Sequence, residues 1–180
     1  LKIEQIGIYY FHSGTNHQFN NDLLWDKLNK EKEKGKINKL GLSLKNSLLL
    51  KNDFYQINNL AQYNIESVQL VYNPIFPNAK KIFPLLKKNK INIISRVPLA
   101  KGLLTGKHQN TNNMNKIDKD IKLVNEKIFK KTNKIYNNLK RKKIIPAIWA
   151  LNQSLNNKYI DSTVVGVKNL DQLFLNLSCI

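Results

Sequence analysis

The sequence has few of the residues that mark a metal site, a disulfide framework or a membrane span. Its single cysteine, Cys179, can form no internal disulfide, and its three histidines, His12, His17 and His108, share no metal-ligand spacing. No apolar run approaches the roughly 18 residues that cross a bilayer. We therefore expect no metal, no membrane partner and a reducing, cytoplasmic location.

Arginine is scarce although the chain is strongly basic. The formal net charge is +18, yet arginine occurs only at Arg96 and Arg141, and lysine is spread among many asparagine and isoleucine residues. A/T-rich codons encode the same three residues, which explains the composition without a partner. No basic stripe interleaved with aromatics indicates nucleic-acid binding. We expect no nucleic-acid partner, and the alternative of a basic nucleic-acid-binding α/β domain predicts salt-dependent binding.

Glycine is sparse too, with seven in 180 residues, and two of them lie in the stretch SRVPLAKGLLTGK at 95–107. A nucleoside-triphosphate loop needs Gly, four residues, then Gly-Lys and a Ser or Thr. Counting back from Gly106 puts Lys101 where the first glycine belongs, and His108 replaces the hydroxyl residue. This spacing excludes that kind of phosphate loop.

Short apolar runs of strand length alternate with helical segments along the chain. The runs are 6–11, 37–44, 68–73, 91–97 and 162–167, and the helical segments are 20–36, 46–64, 78–90, 121–140 and 144–155. Nearly continuous apolar runs are typical of strands covered on both faces. In the first helical segment we expect Leu23, Leu24, Trp25 and Leu28 on one face.

The alternation predicts an α/β fold with a parallel sheet, either open and doubly wound or part of an eight-stranded (β/α) barrel. The length fits one domain over 1–180, with an Asn/Lys-rich insertion of loop and helix at 108–143. In both architectures ligands bind at the carboxyl ends of the strands. Polar residues stand there at 12–13, 43–44, 69–73, 96–107 and 166–169, and we expect them to converge on one mouth.

Five motifs resemble the later part of an aldo-keto reductase, from about its fourth strand-helix unit onward. They are IYYFHS, GKINKLGLSL, VQLVYNP, RVPLAKGLLTGK and VVGVKNLDQLFLN, in the family's order and across essentially the whole chain. The resemblance implies a partial (β/α)8 barrel with five parallel strand-helix units, strands four to eight of the whole. It also implies an NADPH-dependent oxidoreductase that reduces an aldehyde or ketone to an alcohol.

The resemblance also implies roles for individual residues. His12 matches the catalytic histidine that hydrogen-bonds the substrate carbonyl. Ser43 and Gln69 match positions that hold the nicotinamide carboxamide, and Arg96 stands where many members stack an aromatic ring on the nicotinamide. The pyrophosphate loop corresponds to Leu99, Lys101, Gly102 and Leu103, and the adenosine and 2′-phosphate pocket to Gly166, Lys168, Asn169, Gln172 and Asn176.

The sequence departs from the family in two places. Leu44 replaces the asparagine that usually follows the serine. The proton-donor tyrosine, with its lysine and aspartate, belongs to the first three units, so we expect this chain to be a fragment that is inactive alone. A missing N-terminal half-barrel or another chain would then cover the open sheet edges. The alternative is a non-catalytic half-barrel that binds a nucleotide or a protein.

Overall fold

The computed structural model describes residues 2–107 and 126–180. The strands are β1 Ile6–His12, β2 Ile37–Ser43, β3 Ile65–Val71, β4 Asn92–Arg96 and β5 Ser162–Val164. The α-helices are α1 Asn16–Phe19, α2 Asp22–Glu33, α3 Asn46–Leu50, α4 Tyr55–Asn58, α5 Phe83–Lys88, α6 Glu126–Arg141, α7 Pro146–Leu155 and α8 Leu170–Leu177. Short 3₁₀ turns cover Ala61–Tyr63, Asn78–Lys81 and Ala100–Thr105.

The strands form one sheet in the order β1-β2-β3-β4-β5, and β1, β2 and β3 pair in parallel. A doubly wound sheet would reverse its strand order at a switch point. Strands that stay in sequence order throughout, each followed by a helical connection, are the pattern of a (β/α) barrel. The order therefore decides between the two architectures that the sequence left open.

All five predicted strands are present, but the expectation of burial on both faces is wrong for β1 and β5. Tyr9 in β1 is 43% exposed and Val164 in β5 is 51% exposed, whereas Leu40 and Leu42 in β2 are fully buried. The two partly exposed strands stand at the ends of the sheet order, where one side has no neighbouring strand among the described residues. Strands β3 and β4 have no exposed residue, whereas β2 is buried over 40–43 and exposed at Asn38 and Lys39.

The predicted helices are confirmed with three differences. The segment 78–90 is a 3₁₀ turn, Asn78–Lys81, followed by α5, Phe83–Lys88. The segment 46–64 is broken into α3, α4 and a 3₁₀ turn because Asn52 has a φ of +55° and the Asp53 side chain accepts the Tyr55 N–H at 3.1 Å. In α2, Leu23 is 65% exposed while Trp25 is buried. Two positions along a helix differ by about 200°, which puts Leu23 opposite Trp25.

The helix predicted within 121–140 is α6, of which the structure describes Glu126–Arg141. Residues 121–125, and the whole stretch 108–125 of the predicted insertion, lie outside the described residues. Helix α7 starts with Pro146 in its first turn, where the missing N–H costs no hydrogen bond.

The chain divides into two compact units. The first comprises Leu1–Val71, Asn78–Ser95 and Tyr159–Ser162, and the second comprises Tyr72–Pro77, Arg96–Lys158 and Thr163–Ile180. Each has its own buried apolar side chains.

An aromatic cluster is the core of the first unit near the end of β1. The Trp25 ring stacks on Tyr63 at 5.0 Å between centroids, and Phe19 meets both rings edge-on. Phe11 in β1 lies 5.6 Å from Trp25. The Trp25 indole N–H donates to the Phe19 carbonyl at 2.6 Å, so the polar edge of the ring is paired in the core. The cluster packs α1 and α2 against the C-terminal end of β1.

The core of the second unit joins the loop after β4 to α7. Its buried members are Ile75, Ala100, Leu103, Leu104 and Ala150. Half-buried residues of α6, including Ile128 and Phe129, pack against this cluster. The loop that the sequence assigns to the pyrophosphate therefore packs on apolar residues of its own unit.

Candidate active site

Three predicted site residues form one row at the carboxyl ends of the first three strands. His12 pairs in register with Ser43, and Ser43 pairs in register with Gln69. Backbone bonds continue past this row, since the Ser13 N–H donates to the Ser43 carbonyl and the Leu44 N–H to the Gln69 carbonyl, both at 2.8 Å. Residues in register on parallel strands point to the same face of a sheet. The row thus places an imidazole, a hydroxyl and an amide side by side.

Ser43 is the member of this row with an unsatisfied polar group. It is fully buried, and its Oγ has no hydrogen-bond partner among the described residues. Buried hydroxyl groups are almost always paired, because an unpaired one costs about 1–3 kcal/mol. A ligand amide at this place would supply the missing partner. The neighbouring Gln69 is half-buried and can both donate and accept.

His12 is exposed and lines a pocket of about 350 Å³ in the first unit. The pocket is lined by Phe11, His12, Gly14, His17, Gln18, Asn21 and Leu24. The loop that follows His12 is closely packed on the Phe11 ring, because a Cβ on Gly14 would lie 2.2 Å from that ring. The Gln56 side chain also donates to the Gly14 carbonyl at 3.1 Å. A residue larger than glycine at position 14 would displace the segment that follows the histidine.

The loop after β4 has an unusual backbone. Val97, Ala100 and Lys101 have φ values of +61°, +48° and +55°, and Gly102 and Gly106 also have positive φ. Positive φ is rare for residues other than glycine and costs free energy, so such positions concentrate at ligand clamps and active sites.

The predicted residues of this loop differ in what they can offer a ligand. Lys101 is exposed and Gly102 is half-buried, whereas Leu103 is 2% exposed and belongs to the core cluster. The Leu103 side chain therefore packs inward, and only its backbone is left to face a cofactor. Arg96, at the end of β4, is half-buried, and burial lowers the pKa of its guanidinium.

The start of α8 forms a reciprocal capping arrangement in the second unit. The Asn169 side chain accepts the Gln172 N–H at 2.9 Å, and the Gln172 side chain accepts the Lys168 N–H at 2.9 Å. Gly166 and Lys168 are exposed before the cap. On the same helix, Asn176 Nδ2 is buried without a partner within the described part of the chain. The four polar residues of the predicted adenosine pocket thus lie at one helix and its N-terminus.

The predicted residues are assembled as two groups, one in each compact unit. The first group is the row of His12, Ser43 and Gln69, and the second comprises the loop after β4 and the start of α8. The sequence indicated no role for His17, Gln18 and Asn21 in the pocket, because they lie in or just after α1, a one-turn helix that no periodicity indicates. It also assigned no separate role to Asn73, whose side-chain contacts only the structure shows.

The described residues show neither a metal site nor a membrane-spanning helix. No group of three or more His, Cys, Asp or Glu side chains in 2–107 and 126–180 lies close enough to hold a metal ion. None of the helices in the same ranges combines the length and the apolarity that crossing a bilayer requires.

The sheet order and the row of strand-end residues define an α/β fold that is a partial (β/α)8 barrel. A solved structure with this fold is the aldo-keto reductase AKR11C1 from Bacillus halodurans, in its holo form, with a TM-score of 0.73 and 19% sequence identity. The match covers 98% of this chain and 53% of that one, so the chain spans about half the length of this solved relative. The search of the curated proteins gave no match.

A model of the aldo/keto reductase family matches residues 1–180. The chain belongs to this family.

Proposed function

We propose that the chain is the cofactor-binding part of an NADPH-dependent reductase that converts an aldehyde or ketone to an alcohol. The observation that carries this proposal is the row of His12, Ser43 and Gln69, with the buried Ser43 Oγ unpaired among the described residues. A nicotinamide carboxamide has both a donor and an acceptor, which suits a hydroxyl beside an amide. The family membership supports the same chemistry.

The other predicted residues fit the remaining parts of the cofactor. The exposed Lys101 and the backbone of Gly102 would contact the pyrophosphate, since glycine allows a close backbone approach. Lys168 would pair with the 2′-phosphate, which favours NADPH over NADH. Arg96 would lie against the nicotinamide. Its charge disfavours the oxidised, cationic ring, so a counter-charge near the guanidinium would be needed for it to stack there.

The cofactor, when bound, supplies a hydride for the carbonyl carbon. The chain's own contribution is to hold and orient. His12 would hydrogen-bond the carbonyl oxygen and fix the face that is presented to the nicotinamide. We place the proton donor, a tyrosine, outside these 180 residues, in the preceding strand-helix units of the family. On this proposal the isolated chain binds the cofactor and does not turn over.

A second function from another class is a non-catalytic partial barrel that binds a partner protein. Helix α8 favours it, because Leu170, Phe174 and Leu177 are 66%, 64% and 52% exposed on a helix without a buried residue. Exposed apolar patches of this kind mark interaction surfaces. We propose that the occupant is a separate polypeptide that supplies further strand-helix units.

The cofactor assignment is tested by NADPH titration, with NADH beside it, of the wild type, Lys168→Glu and Lys127→Glu. Nicotinamide fluorescence and thermal stability report binding. Lys127 is the matched control, because it is an exposed lysine of α6 in the same unit. Losing a charge-assisted bond of 1.5–3 kcal/mol predicts about 10- to 100-fold weaker NADPH binding in Lys168→Glu. NADH binding, and both affinities of Lys127→Glu, stay close to wild type.

Equal loss of NADPH affinity in both lysine variants would show that only the overall charge matters. Unchanged NADPH affinity in Lys168→Glu would remove this residue from the site. Binding of DNA or RNA that weakens steeply with salt, without nucleotide selectivity, would favour the basic nucleic-acid-binding alternative.

A further inference from the structure

We propose that Asn73 is a positioning residue that holds the loop 97–106 in its strained shape and thereby keeps it able to bind the cofactor pyrophosphate. This inference rests on the proposed function for its second half only. Contacts within the second unit support the first half, in which Asn73 holds the loop. The second half, in which the loop contacts a pyrophosphate, belongs to the proposed function.

The loop needs an external restraint because its backbone is unfavourable. Val97 is β-branched and has a φ of +61°, a conformation in which its branched side chain crowds the backbone. Ala100 and Lys101 also have positive φ, at +48° and +55°. A free loop of this sequence would relax toward ordinary backbone conformations, so the surrounding structure must hold it.

Asn73 makes the contact that restrains the strained valine. It is fully buried, and its Nδ2 donates to the Val97 carbonyl at 2.9 Å. The same carbonyl accepts the Ala100 N–H at 3.0 Å. The orientation of the Val97 peptide is therefore fixed by two donors, one from inside the loop and one from Asn73.

The other end of the Asn73 amide holds the segment beneath the loop. Its Oδ1 accepts the N–H groups of Ile75 and Phe76, at 3.0 and 2.9 Å. Ile75 is buried in one cluster with Ala100 and Leu103 of the loop. One side chain thus connects the loop 97–106 to the apolar surface on which it rests.

Lys131 of α6 also contacts the segment that follows Asn73. Its Nζ donates to the Pro74 carbonyl at 2.6 Å, and burial lowers the pKa of its ammonium group. Asn73 is nevertheless the only one of these two side chains that reaches the loop itself, through Val97. The amide of asparagine suits this position because it offers a donor to Val97 and an acceptor to Ile75 and Phe76 at once.

Asn73→Asp is the sharpest variant, because it keeps the acceptor for Ile75 and Phe76 and replaces the donor to Val97 by a carboxylate oxygen. Asn73→Ser serves as the second variant in case the aspartate chain does not fold. Tyr63→Phe is the matched control, since it removes a part-buried hydroxyl that hydrogen-bonds Asn20 and Asp22 in the first unit.

Hydrogen exchange of the 180-residue chain without nucleotide tests the structural half. We expect the loop amides of Ala100, Gly102 and Leu104, all bonded within the loop, to exchange at least about tenfold faster in Asn73→Asp. The Leu44 amide of the first unit should stay at its wild-type rate, and Tyr63→Phe should not change the loop. Unchanged loop exchange, or an equal increase throughout the chain, overturns the positioning role.

Nucleotide binding tests the functional half through two probes. NADPH contains the pyrophosphate, whereas adenosine 2′-monophosphate has no phosphate at the 5′ position, although both carry the 2′-phosphate. We expect Asn73→Asp to weaken NADPH by about tenfold or more and adenosine 2′-monophosphate by less than about threefold. Equal weakening of both probes overturns the pyrophosphate role. A wild type that binds neither probe overturns the proposed function, while hydrogen exchange still decides whether Asn73 holds the loop.

Discussion

Gly41 offers a test of the packing inside the sheet, because it faces a tyrosine across the first strand pair. Gly41 in β2 is in register with Tyr10 in β1, and a Cβ on it would lie 2.4 Å from Tyr10 Cε1 and 3.1 Å from Ile8 Cγ2. Real Cβ atoms essentially never come within 3.0 Å of another atom, so the 2.4 Å distance to Tyr10 cannot persist. Gly41→Ala must therefore displace the tyrosine ring.

Displacing the ring also affects a hydrogen bond. The Tyr10 hydroxyl lies 2.9 Å from Ser67 Oγ, which is fully buried, and burial raises the pKa of the tyrosine. Overpacking costs about 1–3 kcal/mol. The lost bond adds about 1 kcal/mol, and replacing glycine by alanine in a strand returns about 0.5–1 kcal/mol. We expect Gly41→Ala to lower the free energy of unfolding by about 1–3 kcal/mol.

Urea unfolding followed by circular dichroism measures this difference. The control is Gly7→Ala in β1, where a Cβ meets nothing within 4 Å, so it should stabilise the chain by about 0.5–1 kcal/mol. In a Tyr10→Ala background the cost of Gly41→Ala should fall below about 1 kcal/mol, since the obstructing ring is gone and only the contact with Ile8 at 3.1 Å remains. Equal costs of Gly41→Ala in both backgrounds, or a Gly7→Ala cost as large as that of Gly41→Ala, would refute the packing argument.

Two further predictions concern other places in the fold. Gly106→Ala should destabilise the chain by about 1–2 kcal/mol in urea unfolding, because φ is +87° and a Cβ would lie 3.2 Å from the Tyr136 ring, and a neutral result would contradict the left-handed conformation. Burial tends to raise the pKa of Asp161, but bonds from the Ile93 N–H at 2.7 Å and from Lys87 lower it overall. A lowered folded-state pKa stabilises the fold above the ordinary carboxyl value, and this contribution is lost as pH falls through the lowered folded-state pKa. Asp161 is partly exposed, so solvent screening keeps the contribution to about 1 kcal/mol. Urea unfolding should therefore show a larger cost of Asp161→Ala at pH 6 than at pH 3, and an equal cost at both would contradict this linkage.

The sequence predicted the regular elements because their physical causes are local. Buried strands show as apolar runs, and Pro146 and Gly35 indicate where a helix begins or ends. The break at Asn52 and Asp53 was missed, since their side-chain and backbone alternatives compete with a helix only in a particular packing environment.

The strand-end row could be predicted for a similar reason. Parallel strands bring their carboxyl ends to one edge of the sheet, so His12, Ser43 and Gln69 follow from the order of the runs. The shape of the loop after β4 could not be predicted, because nothing in Val97 or Ala100 indicates a positive φ. That shape depends on Asn73, which lies more than twenty positions earlier in the chain.

On the proposed function, these 180 residues bind the cofactor without any further strand-helix unit. Isothermal calorimetry of NADPH into the wild-type chain, with folding checked by circular dichroism, measures this binding. We expect saturable binding at one site per chain, stronger for NADPH than for NADH, without turnover of an added aldehyde. A folded chain that takes up no nucleotide would contradict the proposed function and favour the non-catalytic partial barrel.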